Sequence, residues 1–104
     1  MKPNKTLTIS IGIPAYNEEA NIKKLLNDIV GQNISSDKLL LEILIISDGS
    51  TDDTVSIVQS FKDKRINLIA GKKREGKNSR INQILEMCKG DILILLDADI
   101  LLND

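Results

Sequence analysis

The chain has 104 residues, 41% of them apolar and 28% charged, with 14 Lys and Arg against 15 Asp and Glu for a formal charge of −1. That length fits one small domain, and the near-zero charge excludes a uniformly basic nucleic-acid binder, which needs surplus Lys and Arg to displace counterions. With no histidine and a single cysteine, Cys88, the chain has no Ser-His-Asp or Cys-His catalysis, no His-rich zinc site and no intramolecular disulfide, so any metal must be held by oxygen.

Ile and Leu supply 17 and 14 residues, whereas Tyr16 and Phe61 are the only aromatics. The core must therefore be aliphatic, and Tyr16 is one of two rings able to stack on a ligand. No stretch approaches the roughly 20 apolar residues of a membrane span, and the start, MKPNKTLTIS, lacks the apolar middle of a signal peptide. A soluble cytoplasmic chain is the expectation, with membrane association left open for any longer form.

From Leu7 to Ile13 apolar residues fall on alternate positions, the period of a strand, and Pro14 ends it. Asn17 is a good N-cap for a first helix, followed by Glu18 and Glu19 and then by Ile22, Leu25, Leu26, Ile29 and Val30 at helical spacing, with Gly31 placed to stop it. The run Leu39 to Ile46, apolar apart from Glu42, reads as a buried strand. Ser50 or Thr51 can cap a second helix carrying Val55, Val58 and Phe61, and Ile66 to Ala70 forms a short third strand. Ile81, Ile84, Leu85 and Cys88 repeat the helical spacing before Gly90, and Ile92 to Leu96 is a fourth strand. This β-α-β-α-β-α-β alternation predicts one α/β domain over 1–104, a Rossmann-like doubly wound parallel sheet with helices on both faces.

Such a sheet binds ligands at the carboxyl ends of its strands. Those ends hold the unusual residues: Pro14 to Glu19, Ser47 to Asp52, the basic loop Gly71 to Lys77, and Asp97-Ala98-Asp99. The opposite ends carry little of note. Asp97 and Asp99 either hold an oxygen-ligated Mg2+ or Mn2+ or simply end the strand and cap the next element. Tyr16 can stack on a base or pack on the first helix. Asp48 can accept a hydrogen bond from a base or ribose, or serve the turn at Gly49. Between Lys62 and Arg80 lie eight of the 14 basic residues, a solvated face or a diphosphate site in which Lys77 and Arg80 act with a helix N-terminus. Cys88 and Phe61 fall on apolar faces and read as core.

In order along the chain, IGIPAYNEEANI, LLEILIISDGSTDDT, a basic loop with GKN, and KGDILILLDADI resemble the N-terminal half of family 2 inverting glycosyltransferases with the GT-A fold. The match runs from about Ile9 to Ile100, and four motifs in register are far more specific than any one. The resemblance implies a glycosyltransferase that binds a nucleotide-diphospho-sugar, most often a UDP-sugar. It implies Pro14, Tyr16, Asn17 and Glu18 bordering the nucleoside, Asp48 on the base, Lys77 near the nucleotide, and Asp97 and Asp99 as the D-x-D that engages ribose and metal. It further implies displacement at the anomeric carbon by an acceptor hydroxyl deprotonated by a carboxylate, with Mn2+ or Mg2+ stabilising the leaving diphosphate. Ser47 departs from the family, where many members carry a second aspartate. Asp104 stands five residues past the D-x-D, so the general base is expected beyond Asp104 and the chain is expected to be the nucleotide-binding half.

Two rivals remain. Gly71-Lys-Lys-Arg-Glu-Gly76-Lys77 matches the G-x-x-x-x-G-K of a P-loop NTPase, but Asn78 stands where Ser or Thr must ligate Mg2+. The other is a non-catalytic nucleotide-binding or self-assembling module of the same fold. A strand order of 3-2-1-4 would leave the fourth strand on an open edge, prone to pair. Self-association is the expected outcome, and a strictly monomeric species by light scattering across a concentration series would count against it.

Overall fold

Seven elements alternate as the periodicity predicts: β1 (Leu7–Ala15), α1 (Ile22–Val30), β2 (Lys38–Asp48), α2 (Thr54–Gln59), β3 (Ile66–Gly71), α3 (Lys77–Met87) and β4 (Ile92–Leu95). They come from a computed structural model that describes residues 6–100; the first five and last four positions of the expected domain lie outside these. The four strands form one sheet in the order β3-β2-β1-β4, every pair parallel.

The strand period sorts side chains between the two faces. Ile9, Ile11 and Ile13 of β1 and Ile43 and Ile45 of β2 join Ile22, Leu25, Leu26 and Ile29 of α1 and Val58 of α2 in the larger core. Leu44 and Ile46, one residue out of phase on β2, pack with Ile84 of α3 on the other face. Partly buried Phe61 borders the first cluster and Cys88 the second, which agrees with the core reading of both. At Gly12 α3 packs tightly on β1: a Cβ there would lie 2.5 Å from Cγ2 of the fully buried Ile84.

Several boundaries differ from the sequence expectation, each for a local reason. Asn17 does not cap α1; the helix starts after Asn21, and Asn17 itself is left-handed at φ 51°, a conformation that Asn tolerates. Asp53, not Ser50 or Thr51, precedes α2. The start of β2 is buried on one side only: Leu40 is core at 3% exposed, whereas Leu39 is 52% and Leu41 37% exposed, and Leu41 is the residue that the β1–β2 register skips, Ile9 facing Leu40 and Ser10 facing Glu42. Leu85, in the apolar stripe of α3, is also exposed.

The amino-terminal end of the sheet, silent in sequence, holds a polar clamp. Glu42 Oε2 accepts hydrogen bonds from Ser10 Oγ at 2.6 Å and Lys89 N at 2.7 Å, and Ser10 Oγ accepts one from Gly90 N at 2.8 Å. Asp91 adds to it, accepting from Thr8 N at 2.9 Å and donating its own N–H to Thr8 Oγ1. These contacts tie the α3–β4 turn to β1 and set the register of β4. Among the described residues no strand pairs with the outer edge of β4, where Ile92, Ile94 and Leu95 are all partly exposed. No helix among them is long and apolar enough to cross a membrane.

Gly12→Ala forces a methyl group into the Ile84 side chain at the junction of α3 with β1. The expected loss is about 1–3 kcal/mol, read as a fall in the urea midpoint with an unchanged slope.

Candidate functional site

The carboxyl ends of β1, β2 and β4, together with the loop before α3, enclose a cleft of about 370 Å³ lined by Pro14, Ala15, Tyr16, Glu18, Asp48, Arg74, Lys77, Asp97, Ala98 and Asp99. Seven of the eight sequence-selected residues, Pro14, Tyr16, Glu18, Asp48, Lys77, Asp97 and Asp99, thus meet in one place. Asn17 does not. Its side-chain oxygen accepts from Thr51 N at 2.8 Å and Asp52 N at 3.3 Å, and its amide donates to Thr51 Oγ1 at 3.3 Å. Glu18 N donates to Thr54 Oγ1 and Asp53 N to Glu19 Oε1. Asn17 therefore borders the cleft from outside, lashing the β1–α1 loop that carries Tyr16 to the β2–α2 loop.

Asp48 closes β2 and is only 4% exposed. Its Oδ1 accepts from Glu75 N at 2.7 Å and Arg80 Nε at 2.9 Å, and its Oδ2 from Gly76 N at 3.0 Å. Arg80, equally buried, also donates to Lys73 O and to Gln83 Oε1, both at 2.8 Å. The expectation that Arg80 meets a diphosphate is therefore corrected: its guanidinium is spent inside the protein. A signal for this existed in the sequence, since Arg80 lies one turn before Ile84 and so on the helix face that turns inward. Gly49, at φ 72°, permits the approach of the basic loop, because a Cβ there would lie 2.5 Å from the Lys73 carbonyl carbon.

Burial pushes the Asp48 carboxyl up, but the hydrogen bonds from Glu75 N–H, Arg80 and Gly76 N–H, with the Arg80 charge, outweigh it and hold the group below its ordinary value. The same bonds count against the P-loop reading. A phosphate cradle needs free amides in the glycine loop, and here Glu75 N–H and Gly76 N–H point at a carboxylate.

At the other wall, Lys77 Nζ is hydrogen-bonded to Asp97 Oδ1, and Asp97 holds the ammonium above its ordinary range. Asp97 and Asp99 are exposed on either side of buried Ala98, in a turn closed by Ile100 N donating to Asp97 O at 3.1 Å. Among the described residues no third carboxylate or thiol joins them to form a cation cage. Two carboxylates fit a cation only where water and a ligand supply the remaining oxygens. One contact had no sequence signal: the Arg74 guanidinium lies 4.0 Å above the centroid of the Tyr16 ring.

A four-stranded parallel sheet whose acidic and basic loops converge on a cleft at the strand ends is a Rossmann-like, doubly wound α/β architecture, the class that binds ligands at those ends. The chain belongs to glycosyl transferase family 2, whose model matches residues 10–104. It is 31% identical over 105 residues to an undecaprenyl-phosphate 4-deoxy-4-formamido-L-arabinose transferase of Pseudomonas fluorescens, an alignment covering 96% of this chain and 30% of that protein. Among solved structures it resembles a mannosyltransferase from Pyrobaculum calidifontis in complex with GDP-Man and Mn2+, with TM-score 0.78 and 27% identity over 90% of this chain and 28% of that one. It also resembles TarS from S. aureus in complex with UDP-GlcNAc, with TM-score 0.78 and 26% identity over 89% of this chain and 27% of that one. The chain thus spans about a third or less of these relatives.

Asp48→Asn keeps the shape but removes the charge that balances Arg80, and is expected to cost about 3 kcal/mol or more at pH 7, as for other broken buried pairs. Because the folded value of Asp48 is depressed, its contribution is complete above about pH 4, the ordinary carboxylate range, and is lost as the pH falls through the folded value. Asp63, held at about 2 by Arg65, adds to the same acid loss. Urea unfolding at pH 7 and pH 3 should show the wild type losing more stability on acidification than Asp48→Asn; equal losses would remove Asp48 from the acid response.

Proposed function

We infer that the chain is the donor-binding segment, over 1–104, of a glycosyltransferase that takes a nucleotide-diphospho-sugar, a UDP-sugar foremost, and transfers the sugar to an acceptor hydroxyl. The supporting observation is the convergence, in a family 2 chain, of Tyr16, Asp48, Lys77, Asp97 and Asp99 on one cleft. Similar solved chains hold GDP-Man with Mn2+ in one case and UDP-GlcNAc in another, which makes the nucleotide the first variable to test.

In this reading the Tyr16 ring stacks on the base, with Pro14 and Glu18 at the nucleoside's edge. Asp48 has a double duty. A carboxylate offers about four acceptor directions, and the three N–H donors already on Asp48 leave one for a base imide. Lys77 turns from Asp97 to the diphosphate, where its ammonium acts as a point charge on the leaving group. Asp97, so released, and Asp99 are the residues that would hold the ribose and a Mn2+ or Mg2+ ion. When bound, that ion supplies neutralisation of the charge that develops on the departing diphosphate. The open edge of β4 carries the accompanying proposal of self-association.

An NMR titration of the labelled chain with UDP and with GDP, with and without Mg2+, tests the reading. Shifts should centre on Tyr16 and the Glu75 and Gly76 amides, and Mn2+ should broaden signals around Asp97 and Asp99. Lys77→Ala should weaken UDP binding by about tenfold, the worth of one charge-assisted hydrogen bond. A folded sample that shows no shifts with either nucleotide at millimolar concentration would refute the donor site, and preferential ATP binding abolished by Lys77→Ala would restore the P-loop alternative.

A further inference from the structure

Arg74 lies on the basic loop, and no sequence pattern marks it. Its guanidinium carbon sits 4.0 Å from the Tyr16 ring centroid, its Nε lies 4.0 Å from Asp48 Oδ2, and its side chain is 65% exposed. Two contacts with the cleft, a cation–π stack and a long ion pair, therefore hold this arginine, rather than packing. A planar group in contact occupies a layer roughly 3.5 Å thick, so a guanidinium 4.0 Å away leaves no room for a base on that face. Base and arginine exclude each other there. The next two amides along the chain, Glu75 N–H and Gly76 N–H, are anchored on Asp48, so the exchange is a rotation of the side chain over a fixed backbone.

We propose that Arg74 is a specificity-determining residue that makes the cleft select nucleoside diphosphates over bare nucleosides; this rests on the nucleotide reading of the site. Arg74 stacks over Tyr16. A nucleoside must displace it and gives nothing back. A nucleoside diphosphate displaces it too, but offers the freed guanidinium phosphate oxygens, for which arginine is the better-shaped partner. The equilibrium moves by the difference in affinity between the two arrangements and no more, so the phosphates decide occupancy.

The test compares uridine and UDP binding to the wild-type chain, Arg74→Ala and Arg74→Lys by NMR titration. Arg74→Ala should tighten uridine binding about two- to fivefold, the span of an exposed cation–π contact, and weaken UDP binding by about tenfold. The preference for UDP over uridine should therefore collapse, with Arg74→Lys between. Tyr16 is the only tyrosine and the chain has no tryptophan, so tyrosine emission reports the ring alone. Its quenching by acrylamide in the ligand-free protein should rise in Arg74→Ala. A wild type that binds UDP, with a preference unchanged in Arg74→Ala, overturns the role of Arg74 and leaves the donor site standing. A wild type that binds neither compound overturns the donor-site reading and this proposal with it.

Discussion

Much of the site depends on a single buried carboxylate. Asp48 ends the central strand β2 inside the protein, and a charge there is tolerable only if its oxygens are filled. Two backbone amides of the basic loop and the Arg80 guanidinium fill them. The arrangement works in both directions. The carboxylate is solvated by the loop, and the loop, which has no apolar side chain between Gly71 and Lys77 to pack, gains its shape from the carboxylate. Arg80 completes the circuit by reaching the Lys73 carbonyl, so that a strand end, a loop and the first turn of α3 form one rigid wall of the cleft.

That wall explains why a G-x-x-x-x-G-K spacing here does not make a phosphate loop. Spacing alone specifies a turn between a strand and a helix, and many turns satisfy it. What differs is the destination of the amides. In this chain they are committed to an internal anion, which leaves side chains, Lys77 and Arg74, as the cations that face the cleft. Side-chain cations move, whereas backbone amides do not, and a site built from the former can hold its charges on internal partners such as Asp97 and Tyr16.

The fold is legible in the sequence because its signals are periodic. Ile9, Ile11 and Ile13 on one strand and Ile22, Leu25, Leu26 and Ile29 on the next helix announce both the elements and the faces they bury, and the strand order is that of a doubly wound topology. The cleft residues are legible for a related reason: that topology brings the strand ends together, whichever residues they carry. Pairings between loops are not legible. Asn17 has the right type and place for a helix cap, and only the third dimension reveals Thr51 and Asp52 as its partners. Arg80 reads as a surface cation because charge suggests exposure, although its spacing from Ile84 points inward. Glu42, the polar exception in an apolar strand, gives no hint of its clamp because its partners Ser10 and Lys89 are distant in sequence.

The Glu42 clamp gives the two ends of the sheet separate tasks. Strand alignment is decided where Ser10, Glu42, Lys89 and Gly90 meet, at the end remote from the cleft. The strand register that carries Asp97 alongside Tyr16 is therefore fixed at the bottom of the sheet, and the loop contacts at the top, Lys77 with Asp97 and Asn17 with Thr51 and Asp52, act on strands already aligned. Such a scaffold is modular: the upper loops can be exchanged, lengthened or recharged to suit another ligand while the ruler that spaces them stays fixed.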